Sequence, residues 1–146
     1  MKEEDIYRDT YIRYLGYANE VGESFRPLVP RSAVLATYGI SIGYVFADAY
    51  DKCMKAQKLG ASSKTVAIRT GDVFIWQMLA SVVIPGYTIN RITWASKGLL
   101  KSVKASKPAI KILPTVLGLA SIPLIIHPID HMVDYIMDNT YRKWLD

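Results

Sequence analysis

An all-α integral membrane protein, with three transmembrane helices and amphipathic interfacial helices, is the fold this 146-residue sequence predicts. Three observations point to it. Residues 33–47, 73–89 and 112–129 contain no Asp, Glu, Lys or Arg, and polar segments separate them. At about 1.5 Å per residue, a helix over 73–89 reaches roughly 25 Å, against a hydrocarbon core of about 30 Å. A thinned bilayer and a snorkelling Arg91 close the gap. The boundary charges also follow an order: Arg31, span, Asp48; Asp72, span, Arg91; Lys111, span, Asp130. Three alternating spans place all the basic boundaries at one membrane face and all the acidic ones at the other. By the positive-inside rule this predicts an N-terminus on the side of the loop at 91–111 and a C-terminus opposite.

The whole chain, 1–146, reads as a single membrane domain. An amphipathic N-terminal helix is expected within 1–31, and a C-terminal amphipathic helix over 128–145. In the first, Tyr7, Tyr11, Tyr14, Ala18, Val21 and Phe25 recur at helical spacing, with Arg13, Glu20 and Glu23 off that stripe. Two placements fit: a solvated helix packed on its own domain, or a helix in the membrane plane with tyrosines at headgroup depth. Pro27 and Pro30 turn the chain into the first span. There Ala36, Gly39, Gly43 and Ala47 form a small-residue strip that another helix can approach closely, within the chain or across a dimer. Packing within the chain is the favoured expectation.

In the second span Pro85-Gly86 is expected to kink or end the helix. Gln77 and Ser81, four apart, face one way and suit an interhelical hydrogen bond. Residues 92–106 read as a separate amphipathic helix stopped by Pro108, with Lys97, Lys101, Lys104 and Lys107 on one side. Pro114 and Pro123 bend the third span, and a new helix starts at Pro128. Residues 90–111 hold six Lys/Arg and no acid, so Arg91, Lys97, Lys101, Lys104 and Lys107 form a candidate contact for anionic lipid, cardiolipin among the possible ligands.

No catalytic apparatus is visible: there is no phosphate loop, nucleophile elbow or Cys-x-x-Cys. No catalytic residue, cofactor or nucleic-acid partner is expected, since the net charge of +5 concentrates in one loop without a binding motif. His127, Asp130, His131 and Asp134 cluster, but Pro128 interrupts them and the acids suit a helix start, so no metal site is expected. Ion-free spans argue against transport. Cys53, the single cysteine, allows no intrachain disulfide.

Four stretches carry a family resemblance: YRDTYIRYLGYANEVGESFRPLVP from Tyr7, ADAYDK at 47–52, VFIWQMLASVVIPGYTINR at 73–91 and IPLIIHPIDHMVDYIMD at 122–138. Together they resemble the mitochondrial fission process protein family. The resemblance implies a multi-pass protein of the mitochondrial inner membrane, without enzymatic activity, that promotes mitochondrial division and influences cell survival. Lipid, unidentified inner-membrane proteins and a second copy of the chain are the partners that fit. A small carrier or channel component and a soluble helical adaptor remain as alternatives.

Overall fold

The computed structural model describes residues 5–145, among which there are helices and turns and no strand. Three long helices dominate. α3, as numbered in chain order, is Arg31–Lys58. It follows two short helices, α1 (Ile6–Asp9) and α2 (Ala18–Phe25), joined by a 3₁₀ segment at Tyr11–Tyr17. α4 (Ser63–Gln77) runs through a π-helical turn at Met78–Val83 directly into α5 (Ile84–Ser102). α6 (Lys107–Asn139) and the short α7 (Tyr141–Leu145) complete the chain. The stretches Arg31–Lys58, Ser63–Ser102 and Lys107–Leu145 are each long and apolar enough to cross a membrane.

Local chemistry sets the helix starts. The Ser62 hydroxyl caps α4 by accepting the Thr65 amide, and the Ser106 hydroxyl caps α6 by accepting the Ala109 amide. Between α5 and α6 the chain reverses in four residues, Lys104 taking a left-handed conformation at φ 56°.

The second long helix neither kinks to a stop nor ends at Pro85. A proline denies its i−4 carbonyl a donor. The helix absorbs this by widening, and the Ile84 amide donates five residues back to Leu79. The helix therefore continues for 40 residues. Residues expected to form a separate amphipathic helix, 92–106, are mostly its outer end. α6 likewise passes through Pro114, Pro123 and Pro128 without a break, so no new helix begins at Pro128. Packing along α5 and α2 holds it continuous where three backbone donors are missing.

The N-terminal segment, 5–25, departs most from expectation, although residues 1–4 of the expected helix lie outside the described chain. It packs on its own domain, as one of the two expected placements has it, but with its polar face turned inward. It runs antiparallel along α3: Lys52 binds Asp5, Tyr44 binds the Tyr7 carbonyl, Ser41 accepts the Asn19 amide, and Thr37 faces Gly22. Its 3₁₀ portion rises about 2 Å per residue and α2 about 1.5 Å, so residues 11–25 extend roughly 26 Å. That is most of a hydrocarbon core. Close approach is made by Gly22, where a Cβ would strike Thr37, and by Gly118 of α6, where one would lie 2.8 Å from the Ser24 hydroxyl.

This geometry gives the bundle two ends. Arg31, Ser102 and Lys107 mark the lysine end, where Pro27 shares a groove with Lys97 and Lys111. At the opposite end Asp5, Lys52, Asp72, Tyr141 and Arg142 line one groove of about 440 Å³. Asp5 and Arg142 are thus neighbours, so the opposed termini expected from three spans give way to a shared side. Two tests follow. Epitopes fused at the two ends of the chain should be cleaved together from one face of sealed membranes and protected together from the other; opposite protection would contradict the antiparallel seat of 5–25. Substituting both Gly39 and Gly43 by Leu should not lower the thermal stability of the single chain, and the loss of each mid-helix glycine should add up to about 1 kcal/mol. A Cβ at either site meets nothing within 4 Å.

Candidate functional site

The centre of the bundle is polar. Arg13, Gly16, Glu20 and Glu23 recur at spacings of 3, 4 and 3, so one face of the N-terminal segment gathers them, and all four are buried. Tyr11, Tyr14, Leu15 and Val21 point outward and are exposed. The segment is therefore inside-out, as suits a helix with lipid on its outer face and other helices on its inner one.

Arg13 is the hub. Its guanidinium donates to the Ser81 hydroxyl at 2.8 Å and lies 3.5 Å from an Asp130 carboxylate oxygen. It also covers the Tyr17 ring at 4.4 Å and the Trp76 ring at 5.8 Å. From Ser81 the chain of bonds runs on. The Ser81 hydroxyl donates to Gln77 Oε1 at 2.5 Å, and Gln77 Nε2 donates to Asp48 at 2.7 Å and to the Tyr44 hydroxyl at 3.2 Å. Lys52 Nζ then donates to Asp48 at 2.5 Å and to Asp5 at 2.9 Å. Gln77 and Ser81 thus enter an interhelical network, as their spacing suggests. The π-helical turn contributes a second link: Asn19 Nδ2 donates to the Val82 carbonyl at 2.9 Å.

Glu23 organises the other half. Its carboxylate accepts two bonds from Arg26 at 2.6 and 3.0 Å, one from the Tyr38 hydroxyl at 2.5 Å and one from Asn90 at 3.0 Å. N-terminal segment, α3 and α5 are tied there through a single acid. At the far end Arg142 clamps α7 back onto α4 and α6, with bonds to Asp72 at 2.6 and 3.0 Å, Asp138 at 2.9 Å and Asp134 at 3.2 Å.

The boundary charges divide accordingly. Arg31, Arg91 and Lys111 are exposed at the lysine end, Arg91 over the rings of Tyr87 and Trp94 at 5.7 and 5.1 Å. Asp48, Asp72 and Asp130 face the opposite half, but as partners of Lys52, Arg142 and Arg13 rather than as free boundary markers. Asp48 is fully buried. The strip Ala36, Gly39, Gly43 and Ala47 is exposed throughout and packs against no helix among the described residues. Of the candidate lipid contacts, Lys97, Lys101 and Lys107 line one groove of about 340 Å³, with Lys111, Pro27 and Ile110. Lys104 lies in the turn beyond it, and Arg91 joins Lys97 in an adjoining groove with Trp94. Among the described residues no three His, Cys, Asp or Glu converge to hold a metal. Asp130 faces Arg13, while His127 and His131 are exposed.

Sequence reasoning missed Arg13, Asn19, Glu20 and Glu23 as interior groups. Two glycines, a serine and an asparagine on the polar face were the available signal, because small residues mark a face that helices approach closely.

A sequence profile of the family described as mitochondrial 18 kDa protein matches residues 7–74 and 60–137. The chain is 50% identical to human mitochondrial fission process protein 1 over 146 residues, covering 97% of this chain and 88% of that protein. It is 49% identical to the proteins of the same name from Danio rerio and Caenorhabditis elegans, in each case over 95% of this chain and 87% of the relative. An uncharacterised protein of Acanthamoeba polyphaga mimivirus is 32% identical over 90% of this chain. No solved structure matches.

Replacing Arg13 by Met should destabilise the bundle by about 3 kcal/mol. This is the low end for breaking a buried pair, because the Asp130 side chain keeps 24% exposure. Asp130→Asn should cost a similar amount. The double substitution should recover part of it, since it removes both members of the pair. Thermal unfolding in lipid-like micelles gives the cycle, and strictly additive losses would mean the two groups do not interact.

Proposed function

The chain belongs to the mitochondrial 18 kDa protein family, and from that membership we propose that it is a non-enzymatic, multi-pass protein of the mitochondrial inner membrane that promotes mitochondrial division and influences cell survival. The observation that carries this reading is half identity, along nearly the full chain, to relatives named mitochondrial fission process protein 1. The architecture supports a structural mode of action. Ionisable groups in the bundle are tied across helices to neutral polar side chains and to opposite charges, as in a packed scaffold.

The lysine end supplies the contact with the membrane. Lys97, Lys101, Lys107 and Lys111 surround one groove floored by Pro27 and Ile110, and Arg91 and Trp94 adjoin it. Ammonium groups around a small apolar floor suit a phosphate headgroup with its acyl chains alongside, and each lysine near an anionic surface contributes about 1 kcal/mol. An acidic lipid such as cardiolipin is the proposed occupant. The exposed strip from Ala36 to Ala47 is the proposed surface for a second copy or another inner-membrane protein.

Replacing Lys97, Lys101, Lys107 and Lys111 together by Glu should lower co-purification of anionic lipid severalfold, and high salt should reproduce the loss with the unaltered protein. Lys104→Glu, outside the groove, should have little effect. In cells lacking the protein, re-expression of the parent should restore division, scored as mitochondrial length, and the fourfold variant should restore less. Equal lipid retention by parent and variant would remove the lipid contact from this reading. Failure of the parent to change mitochondrial length would remove the role in division.

A further inference from the structure

The positive surface at the lysine end is divided. Two grooves of about 340 Å³ each adjoin there, and Pro27 and Lys97 line both. The division follows from where α2 ends. Its last turn is gripped between α5 and α6: Asn90 of α5 donates to Glu23, and Ser24 packs on Gly118 of α6. Beyond Phe25 the chain turns through Pro27 and Pro30 into α3, whereas α5 runs on to Ser102 and α6 returns from Lys107. The turn at Pro27 is therefore a wall with a groove on either side, and Lys97 stands at the junction.

The two grooves are charged in different ways. The first holds Lys101, Lys107 and Lys111 besides Lys97; all four are exposed, and none forms an ion pair among the described residues. The second holds Arg26 and Arg91. Arg26 is neutralised by its two bonds to Glu23, whereas Arg91 meets only the neutral amide oxygen of Asn90, at 2.6 and 3.1 Å. The rings of Tyr87 and Trp94 flank the Arg91 guanidinium, and its Nη1 makes no bond among the described residues. No Asp or Glu lines either groove. Inward of both, the surface turns apolar. Ile112 and Leu113 follow Lys111 on α6, Val83 and Tyr87 precede Arg91 on α5, and all four are exposed. A ligand with hydrocarbon beside each anionic group covers that surface, and a soluble anion leaves it bare.

We propose that the two grooves form one site for a lipid carrying two phosphates on a short common backbone, one phosphate in each groove with Lys97 between them. The proposal rests on the reading that the lysine end meets anionic lipid, and adds the number of phosphates. Lys101, Lys107 and Lys111 take the first phosphate. Arg91 takes the second, because a planar guanidinium held in place matches phosphate geometry. Once the first phosphate is seated, the tether presents the second at a raised local concentration. A lipid with a single phosphate gains no such advantage and leaves the charge of one groove unmatched.

Lipid retention by the full chain tests the number of phosphates. The purified protein is equilibrated in mixed micelles with cardiolipin, whose two phosphates share one glycerol, or with phosphatidylglycerol at matched phosphate. Bound lipid is then counted by native mass spectrometry. The parent should hold cardiolipin at least about tenfold more tightly than phosphatidylglycerol. Arg91→Gln, which removes the uncompensated guanidinium of the second groove, should abolish most of that preference and leave phosphatidylglycerol binding nearly unchanged. Lys97→Gln should weaken both lipids, cardiolipin more. Lys143→Gln, exposed on α7 at the opposite end, should match the parent. Unchanged thermal unfolding shows that these surface variants are folded. Pyrophosphate equimolar with cardiolipin should displace none of it. Equal affinity of the parent for the two lipids, or a full preference kept by Arg91→Gln, overturns the paired site and leaves a general anionic-lipid contact standing. Retention of neither lipid overturns that contact as well. Displacement by pyrophosphate gives the grooves to a soluble anion and overturns the lipid.

Discussion

A charge cannot stand alone at membrane depth, and the fold is arranged around meeting that condition for Arg13. An arginine there needs acceptors on several sides, and each is delivered by a different element: Asp130 from α6, Ser81 from the π-helical turn, and aromatic faces from Tyr17 and Trp76. Ser81 is itself held by Gln77, and Gln77 by Asp48 and Tyr44 of α3. Every long helix is thus connected to the N-terminal segment by polar bonds. Dispersion between apolar faces offers little discrimination in lipid, so these bonds set which helix lies beside which. The apolar clusters, Trp76 with Ile129 and Val133, and Tyr44 with Val82, then fill the space the network has defined.

The turn at Met78–Val83 shows one local feature serving two purposes. Pro85 removes a backbone donor, and the wider winding accommodates it without ending the helix. That winding accompanies the presentation of the Val82 carbonyl to Asn19, while the absent side chain of Gly86 leaves room for Asn19 and Tyr38. The turn that accommodates the proline is thus also a place where the N-terminal segment is bound.

The two ends of the bundle differ in what they leave free. At the end near Asp5, cations and acids neutralise each other: Lys52 with Asp48 and Asp5, Lys55 with Asp51, Arg142 with Asp72, Asp134 and Asp138. At the other end Lys97, Lys101, Lys107 and Lys111 are exposed around a groove, in a stretch of sequence without acids. One face is closed by its own ion pairs, and the other keeps an uncompensated positive field. That field is the basis on which the lysine end is proposed as the face that meets lipid.

How much of this was legible beforehand follows from the range of each interaction. Uncharged stretches and helical periodicity are local properties, so the all-α class, the three long apolar helices and the pairing tendency of Gln77 with Ser81 could be read from the chain alone. The segment at 11–25 could not be placed in that way. Its stripe of tyrosines and its polar face with Arg13, Glu20 and Glu23 describe an interfacial helix and an inside-out helix equally well, because periodicity reports two faces but not which one is covered. Small residues misled for the same reason: Gly39 and Gly43 match a packing strip yet lie open, whereas Gly22 and Gly118 make the close contacts. The sequence by itself determined where helices form and which stretches suit lipid. The tertiary structure alone decided which faces meet, because an ion pair such as Arg13 with Asp130 joins residues more than a hundred positions apart that no local pattern relates.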